Sequence, residues 1–286
     1  MNYYSFAGIT FSVSGIEYRY TKRRMEQYLC DAVENPDVNL LYRENDDILT
    51  PEGKTVAELE YRKYLATDDK YINYDFVKST GKNTALMESD KFYRNVECSL
   101  NNIENIGGAA IDVRAFNMIG EVLKYAIPRH DGIILHSSAL SYDDNGVLFS
   151  AKSGTGKSTH TRLWRETFAD KVVMLNDDMP AIRFIDSVPY LCGTPWSGKT
   201  EINNNKQVPL KAIVFLERGI ENEIFEINAA EAIFKMLNEA TLPVYKELAS
   251  NTMDIIEKLI SGTPCYCLKC NMNPDAAITA RNYIFK

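Results

Sequence analysis

The stretch Val147–Trp164 reads VLFSAKSGTGKSTHTRLW: an apolar run, a patch of small residues with two glycines and a lysine, then a helix-forming segment. The apolar run is strand-sized and the residues after Lys157 carry helical spacing. Between them, Gly154 and Gly156 let consecutive backbone N–H groups turn inward. A helix beginning at Lys157 aims the positive end of its dipole at the same point, so the turn is built to hold an anion. Over Ser153, Gly154, Thr155, Gly156, Lys157, Ser158 and Thr159 the pattern suits the phosphates of ATP or another nucleoside triphosphate. Lys157 supplies a charge for the β- and γ-phosphates and the Ser158 hydroxyl a ligand for Mg²⁺. The general pattern G-x-x-x-x-G-K-[ST] places glycine at 151, where this chain has Ala151. A methyl group is tolerated there provided the backbone keeps a negative φ.

Working outward, Gly132–His136, Ala139–Tyr142 and Val147–Ala151 read as strands, and Asp143-Asp144-Asn145-Gly146 is a hairpin turn before the loop strand. Downstream, Lys157–Phe168 reads as a helix. Lys171–Leu175 reads as a strand expected beside the loop strand, ending in Asn176-Asp177-Asp178. Phosphoryl transfer needs one carboxylate near the metal and, for a hydroxyl acceptor, another to take its proton. Adjacent aspartates can divide those roles, Asp178 being the metal candidate alongside Ser158; Asn-Asp-Asp is also ordinary turn chemistry. His136 closes the run Ile133-Ile134-Leu135 and is either a structural histidine or a contact in the same site. Gly193–Thr200 (GTPWSGKT) is suited to closing over a phosphate or substrate through Lys199, and reads equally as a surface loop. Arg162 lies one turn into the loop helix, as an anion contact or an exposed helix arginine.

Further strands are expected at Ala181–Ile185, Pro189–Cys192, Leu210–Leu216 and Cys265–Leu268, and helices at Ala229–Ala240, Val244–Ile260 and from Pro274. Cys265-Tyr266-Cys267-Leu268-Lys269-Cys270 has poor spacing for zinc and reads as a partly buried strand with Cys265 and Cys267 on one face. The segment DVRAFNMIGEVLKYA, Asp112–Ala126, spaces Val113, Phe116, Ile119, Val122, Leu123 and Ala126 as one helical stripe, with Asp112 as N-cap and Pro128 as stop. The first hundred residues read as irregular and strand-rich; Val56–Leu65 fits either a short helix or a strand. We therefore expect two parts, a smaller strand-rich region over 1–110 and a loop-bearing domain over 111–286.

Lys and Arg number 32 against 39 Asp and Glu, a net charge of −7, which disfavours nucleic acid and anionic membranes as partners. No apolar stretch reaches membrane-span length and the first residues lack a secretory pattern, so the cytoplasm is the expected compartment. Six cysteines without regular spacing fit reduced thiols. A homo-oligomer is compatible with this composition.

The His136 strand and hairpin leading into Ser153–Ser158, the Asp177-Asp178 pair and the Gly193–Lys199 loop together resemble the HPr kinase/phosphorylase and phosphoenolpyruvate carboxykinase superfamily. The likeness is greatest to its shorter HPr-kinase-like members, over about residues 110–286. It implies an α/β (α+β) fold with a strand-rich, mixed-sheet P-loop kinase core, and ATP- and Mg²⁺-dependent transfer to a serine-like hydroxyl of a peptide, small protein or metabolite. Lys157 and His136 would join the catalytic set, with Asp177 and Asp178 as base and metal ligand in an order the sequence leaves open. The second glycine-rich signature of HPr kinases is missing. A nucleotide-binding regulator without transfer and a carboxykinase-like lyase are the competing readings.

Overall fold

The computed structural model describes residues 1–102, 110–240 and 242–286. The chain forms two compact units, Met1–Arg129 with Pro243–Ala249, and His130–Leu242 with Ser250–Lys286. The division drawn from the sequence after residue 110 falls beside the segment 103–109, outside the described residues, and the units part only after Arg129.

In the first unit the chain runs β1 (Asn2–Phe6), β2 (Ile9–Ser14), α1 (Arg19–Met25), β3 (Val38–Glu44), β4 (Lys54–Glu58), β5 (Arg62–Ala66), β6 (Lys70–Phe76), β7 (Asn83–Asp90), β8 (Asn95–Leu100) and α2 (Ile111–Ala126). The strands make one eight-stranded sheet in the order β1-β2-β3-β8-β7-β6-β5-β4. The ambiguous Val56–Leu65 segment resolves as the β4–β5 hairpin, because β5 gains β6 as a partner and buries Tyr64 and Leu65. Asp112 does not cap its own helix: Ala110 holds that position without a side-chain bond. The Asp112 carboxylate instead accepts from Tyr20 N at 2.7 Å and Thr21 N at 2.9 Å, two first-turn donors of α1 that lack intrahelical partners. Phe116 of α2 meets the Tyr20 ring edge-on, and Glu121 joins Arg62, which also grips Asp75. These contacts place α2 in the first unit, which is why the boundary lies beyond it.

The second unit contains β9 (Gly132–Ile134), β10 (Ser137–Tyr142), β11 (Asn145–Ser150), α3 (Lys157–Phe168), β12 (Val172–Asn176), β13 (Ala181–Ile185), β14 (Val188–Cys192), β15 (Gln207–Arg218), β16 (Glu223–Glu226), α4 (Ala229–Glu239), α5 (Lys246–Gly262, counted here from Ser250), β17 (Cys265–Cys270) and α6 (Asp275–Ile284). A nine-stranded mixed sheet runs β12-β10-β11-β15-β14-β13-β9, with β17 also on β15 and β16 on β17. Alternate residues of its inner strands feed two cores. Val147, Phe149, Val214 and Leu268 pack with Leu163, Trp164 and Ala280 of α3 and α6; Leu148, Ile213, Phe215, Cys265 and Cys267 pack with Met236, Ile256 and Leu259 of α4 and α5. Helices thus cover both faces, and the inner strands β11 and β15 bury apolar residues on both sides, as Val147 to Phe149 and Ala212 to Leu216 do. Burial of Cys265 and Cys267 pushes their thiols up to about 12 and about 11. No helix among the described residues is long and apolar enough to cross a membrane.

The strand bearing the aspartates is not the neighbour of the loop strand. β12 pairs with β10, and β10 with β11, both antiparallel. The cause is the two-residue turn Asp143–Asp144, with φ of 46° and 59°, which matches the twist of a tight hairpin and folds β10 into the gap. Two reversals restore direction, so β11 and β12 end at the same sheet edge, where β10 begins.

At that edge the Asn176 side chain, fully buried, makes five bonds. Its Nδ2 donates to Thr194 O at 2.8 Å, Thr194 Oγ1 at 3.1 Å and Trp196 O at 3.3 Å, and its Oδ1 accepts from Asp178 N at 2.8 Å and Met179 N at 2.7 Å. Beneath the loop helix, His160 packs edge-on to Phe149, and its Nε2 accepts from Trp164 Nε1 at 3.0 Å, so the ring proton sits on Nδ1. Burial lowers its pKa to about 3.

Two outcomes are expected. Asn176→Ala should lower the unfolding free energy by about 2–4 kcal/mol, since truncation leaves several buried polar groups unpaired. Tryptophan fluorescence in urea checks this for the second unit alone, because Trp164 and Trp196 are the chain's two tryptophans. For His160 the unfolded ring takes a proton below its ordinary pKa while the folded ring resists down to about 3. Stability should therefore fall with pH below about 6.5, by at most about 1.4 kcal/mol per unit from this group. The drop should be smaller in His160→Gln, which keeps an acceptor for Trp164.

Candidate functional site

The loop between β11 and α3 has the conformation its glycines allow. Gly154 lies at φ 78° and Gly156, the N-cap of α3, at φ 121°, and no heavy atom lies within 4 Å of where a Cβ would stand on either. The space in front of both is open to a ligand, and the strain a side chain would incur there explains the residue type. Ala151 keeps out of the left-handed region and its methyl joins the α3/α6 core, so the missing glycine costs the loop nothing in conformation. Ser158 is exposed at the first turn of α3 and Thr159 half-buried behind it.

Lys157 is buried, and its Nζ donates to Ala151 O at 2.6 Å across the loop. Burial pulls its ammonium below the ordinary lysine range, against the attraction of Glu239, Asp178 and Asp177. A cation held in a partly dehydrated place and attracted by three carboxylates is the kind of perturbed group that makes this loop a candidate functional site.

The carboxylates stand differently. Asp177 is buried, and its Oδ1 accepts from Ser138 Oγ, at the start of β10, at 2.7 Å. Asp178 has a third of its side chain exposed, 34 %, and its backbone is fixed by Asn176 below and by Ser137 N, which donates to its carbonyl at 2.9 Å. Its Oδ1 lies 3.4 Å from His136 Nε2. Gly198, at φ 61°, presses so closely on Asp178 that an added Cβ would come within 3.2 Å of the carboxyl group. The structure thus brings His136 and the tip of the 193–200 loop together at Asp178.

That loop is less a cover than a wall. Thr194, Trp196 and Ser197 are buried, and only the tip at Gly198–Thr200, carrying Lys199, is exposed. Arg162 stands apart: on the exposed side of α3 its guanidinium pairs with Glu166 one turn on, at 3.9 Å.

Four contributors were not singled out from the sequence. Ser138 orients Asp177, Asn176 holds the edge together, and Glu239 at the end of α4 meets His136 Nδ1 at 3.3 Å. Arg218, at the end of β15, donates to Gly154 O at 2.8 Å and so braces the loop from outside. Only Asn176 and Ser138 had a local signal, standing beside the acidic pair and two residues after His136.

Two cavities flank the loop. One, about 500 Å³, is lined by Gly154, Gly156, Thr159, Leu163, Arg218 and Met272 among others; the second, about 490 Å³, by Ala151, Lys152, Phe215, Phe234, Asn238 and Glu239. Each is large enough for a nucleoside-sized group. Among the described residues no three His, Cys, Asp or Glu side chains converge as a ready-made metal cage. A magnesium ion carried by phosphate oxygens asks for less, one or two protein ligands with water completing the shell.

Among solved structures, the chain is similar to the Hpr(Ser) kinase/phosphatase from Coxiella burnetii, at 12% identity and a TM-score of 0.32, over 53% of this chain and 96% of that one. No curated protein matches. The family model described as SynChlorMet cassette protein ScmC matches residues 96–273, which takes in the last strand of the first unit, the glycine loop between β11 and α3, the acidic pair and all of α4 and α5. The chain belongs to the ScmC family of SynChlorMet cassette proteins.

Proposed function

We propose that the protein is an ATP- and Mg²⁺-dependent kinase that transfers phosphate to a hydroxyl group. The observation that carries this reading is the meeting, at one sheet edge, of an open glycine loop with its buried Lys157 and an aspartate pair of unequal exposure, of which Asp178 faces His136.

The inward N–H groups of the loop and the start of α3 would hold a phosphate, and Lys157, which donates to Ala151 O, would turn its ammonium to the phosphate oxygens. Ser158 and Asp177 would hold the magnesium ion, in place of the Asp178 that the sequence singles out as the metal candidate, because Asp177 is the buried member of the pair and its carboxylate is pre-set by Ser138. A nucleotide and magnesium ion held by these residues would supply the phosphoryl group and offset the charge that builds up on it. Asp178, the accessible member of the pair, takes the proton of the acceptor hydroxyl as the new O–P bond forms and the bond to the ADP oxygen breaks. His136 beside it shares that proton. The acceptor is a peptide, a small protein or a metabolite, and it reaches Asp178 past the Gly198 tip.

Incubation with γ-labelled ATP, Mg²⁺ and candidate acceptors tests the reading. Lys157→Ala and Asp178→Asn should each reduce transfer by at least about 100-fold with the fold intact by circular dichroism. Undiminished transfer in Lys157→Ala would sink the proposal, whereas tight ATP binding with no turnover in the parent protein would favour a nucleotide-binding regulator.

The depressed Lys157 pKa gives a pH signature. The ammonium loses its proton at a lower pH than the about 10.4 of free lysine. ATP affinity, measured by calorimetry, should therefore weaken on going alkaline before free lysine would titrate. In Lys157→Arg, weaker overall, the profile should stay flat because guanidinium remains charged.

A further inference from the structure

Glu239 has no counterpart in the motifs that point to the site, yet it touches the reacting edge twice. It ends α4, and its backbone carbonyl accepts from His136 N at 3.1 Å, so the helix terminus is stitched to the segment between β9 and β10. Leu135 and Ala240 continue the contact as an isolated bridge. Its side chain then returns to the same residue, with Oε2 3.3 Å from His136 Nδ1. That carboxylate is only 9 % exposed, while the imidazole is 40 % exposed and presents its other nitrogen to Asp178. Among the described residues, the charged groups paired with this imidazole are Asp178, just after β12, and Glu239 of α4, and both carboxylates also attract Lys157.

We propose that Glu239 is a positioning residue: its carboxylate accepts the Nδ1 proton of His136 and so fixes the ring with Nε2 directed at Asp178. A carboxylate is an acceptor only, so the neutral ring must carry its proton on the Glu239 side to make this bond. Nε2 is then the nitrogen with a lone pair, and it lies 3.4 Å from the carboxylate that takes the acceptor proton. The same arrangement of carboxylate, imidazole and reacting group orients histidines in other enzymes, where the carboxylate holds the tautomer and does not itself titrate. The inference deepens the phosphotransfer reading, but its structural half stands without it, because the tautomer is a property of the protein alone.

The test uses the full chain, labelled with ¹⁵N, whose three histidines are His130, His136 and His160. Two-bond nitrogen–proton correlation spectra, recorded above the pH at which the ring titrates, report which nitrogen of each ring holds the proton. His160 serves as an internal Nδ1–H standard, since its Nε2 accepts from Trp164. We expect His136 to be Nδ1–H in the parent protein and in Glu239→Gln, whose amide oxygen still accepts, and to lose that form in Glu239→Ala. The backbone bond from His136 N survives both substitutions, and the unchanged His160 signal shows that the unit is folded. In parallel, Mg²⁺-dependent ATP turnover, with water as the acceptor, should fall about tenfold in Glu239→Ala and clearly less in Glu239→Gln. An Nδ1–H tautomer that persists in Glu239→Ala overturns the proposal, as does a fall in turnover of equal size in both variants. Absence of turnover in the parent protein counts against the kinase reading only, since the tautomer still decides the role of Glu239.

Discussion

The site depends first on a single buried amide. Asn176 closes β12, and its side chain bonds at once to the backbone carrying Asp178 and Met179 and to the loop carrying Thr194 and Trp196. An amide in a dry place is costly unless both its ends are used, and here both are. The requirement is reciprocal: the two segments can meet only where the amide can reach both. That fixes the direction in which the chain leaves the strand, and with it the placing of the aspartates. No apolar residue could do this, because packing is indifferent to direction while hydrogen bonds are not.

On this frame the electrostatics are arranged in opposition. Lys157 is drawn into the protein, losing hydration, and is kept charged by Glu239, Asp178 and Asp177 around it. The carboxylates in turn repel one another and are separated by different means. Asp177 is buried under a serine hydroxyl, Asp178 is left part-exposed against an imidazole, and Glu239 is turned to the far side of that ring. Such a cluster is less stable than a neutral core of the same size would be. On the proposed kinase reading, that cost yields a site pre-set for an anion and a divalent cation arriving together.

Much of this was legible in the sequence, and the parts that were not share a cause. The loop, the helix Lys157–Phe168 and the hairpin turn at Asp143–Asp144 are local, set by residues next to one another, and they were read with their limits nearly right. The insertion of β10 between β11 and β12 was missed because strand pairing is not local; a sequence shows where strands lie, not which sit side by side. Asp112 was misread for the related reason that a first-turn carboxylate can serve another helix as well as its own. Glu239 stands 103 residues from His136 and carries no motif, so only the fold could bring it in. Asn176 was visible, as part of an acidic run, but its amide looked like turn chemistry until its partners across the loop were known.

The β10 hairpin has a consequence for how the site could fail. Side chains alternate along a strand, so sliding β10 by a single residue against β11 would exchange the faces of all its residues together. Ser138 would leave Asp177, and the chain entering at His136 would be displaced with it, while the glycine loop at the end of β11 stayed as it was. On the proposed kinase reading, the loop would keep its shape for a triphosphate while the proton-handling end fell out of register. The two aspartates of the turn, at the far end of the strand from any chemistry, thus act as the index mark of the active edge.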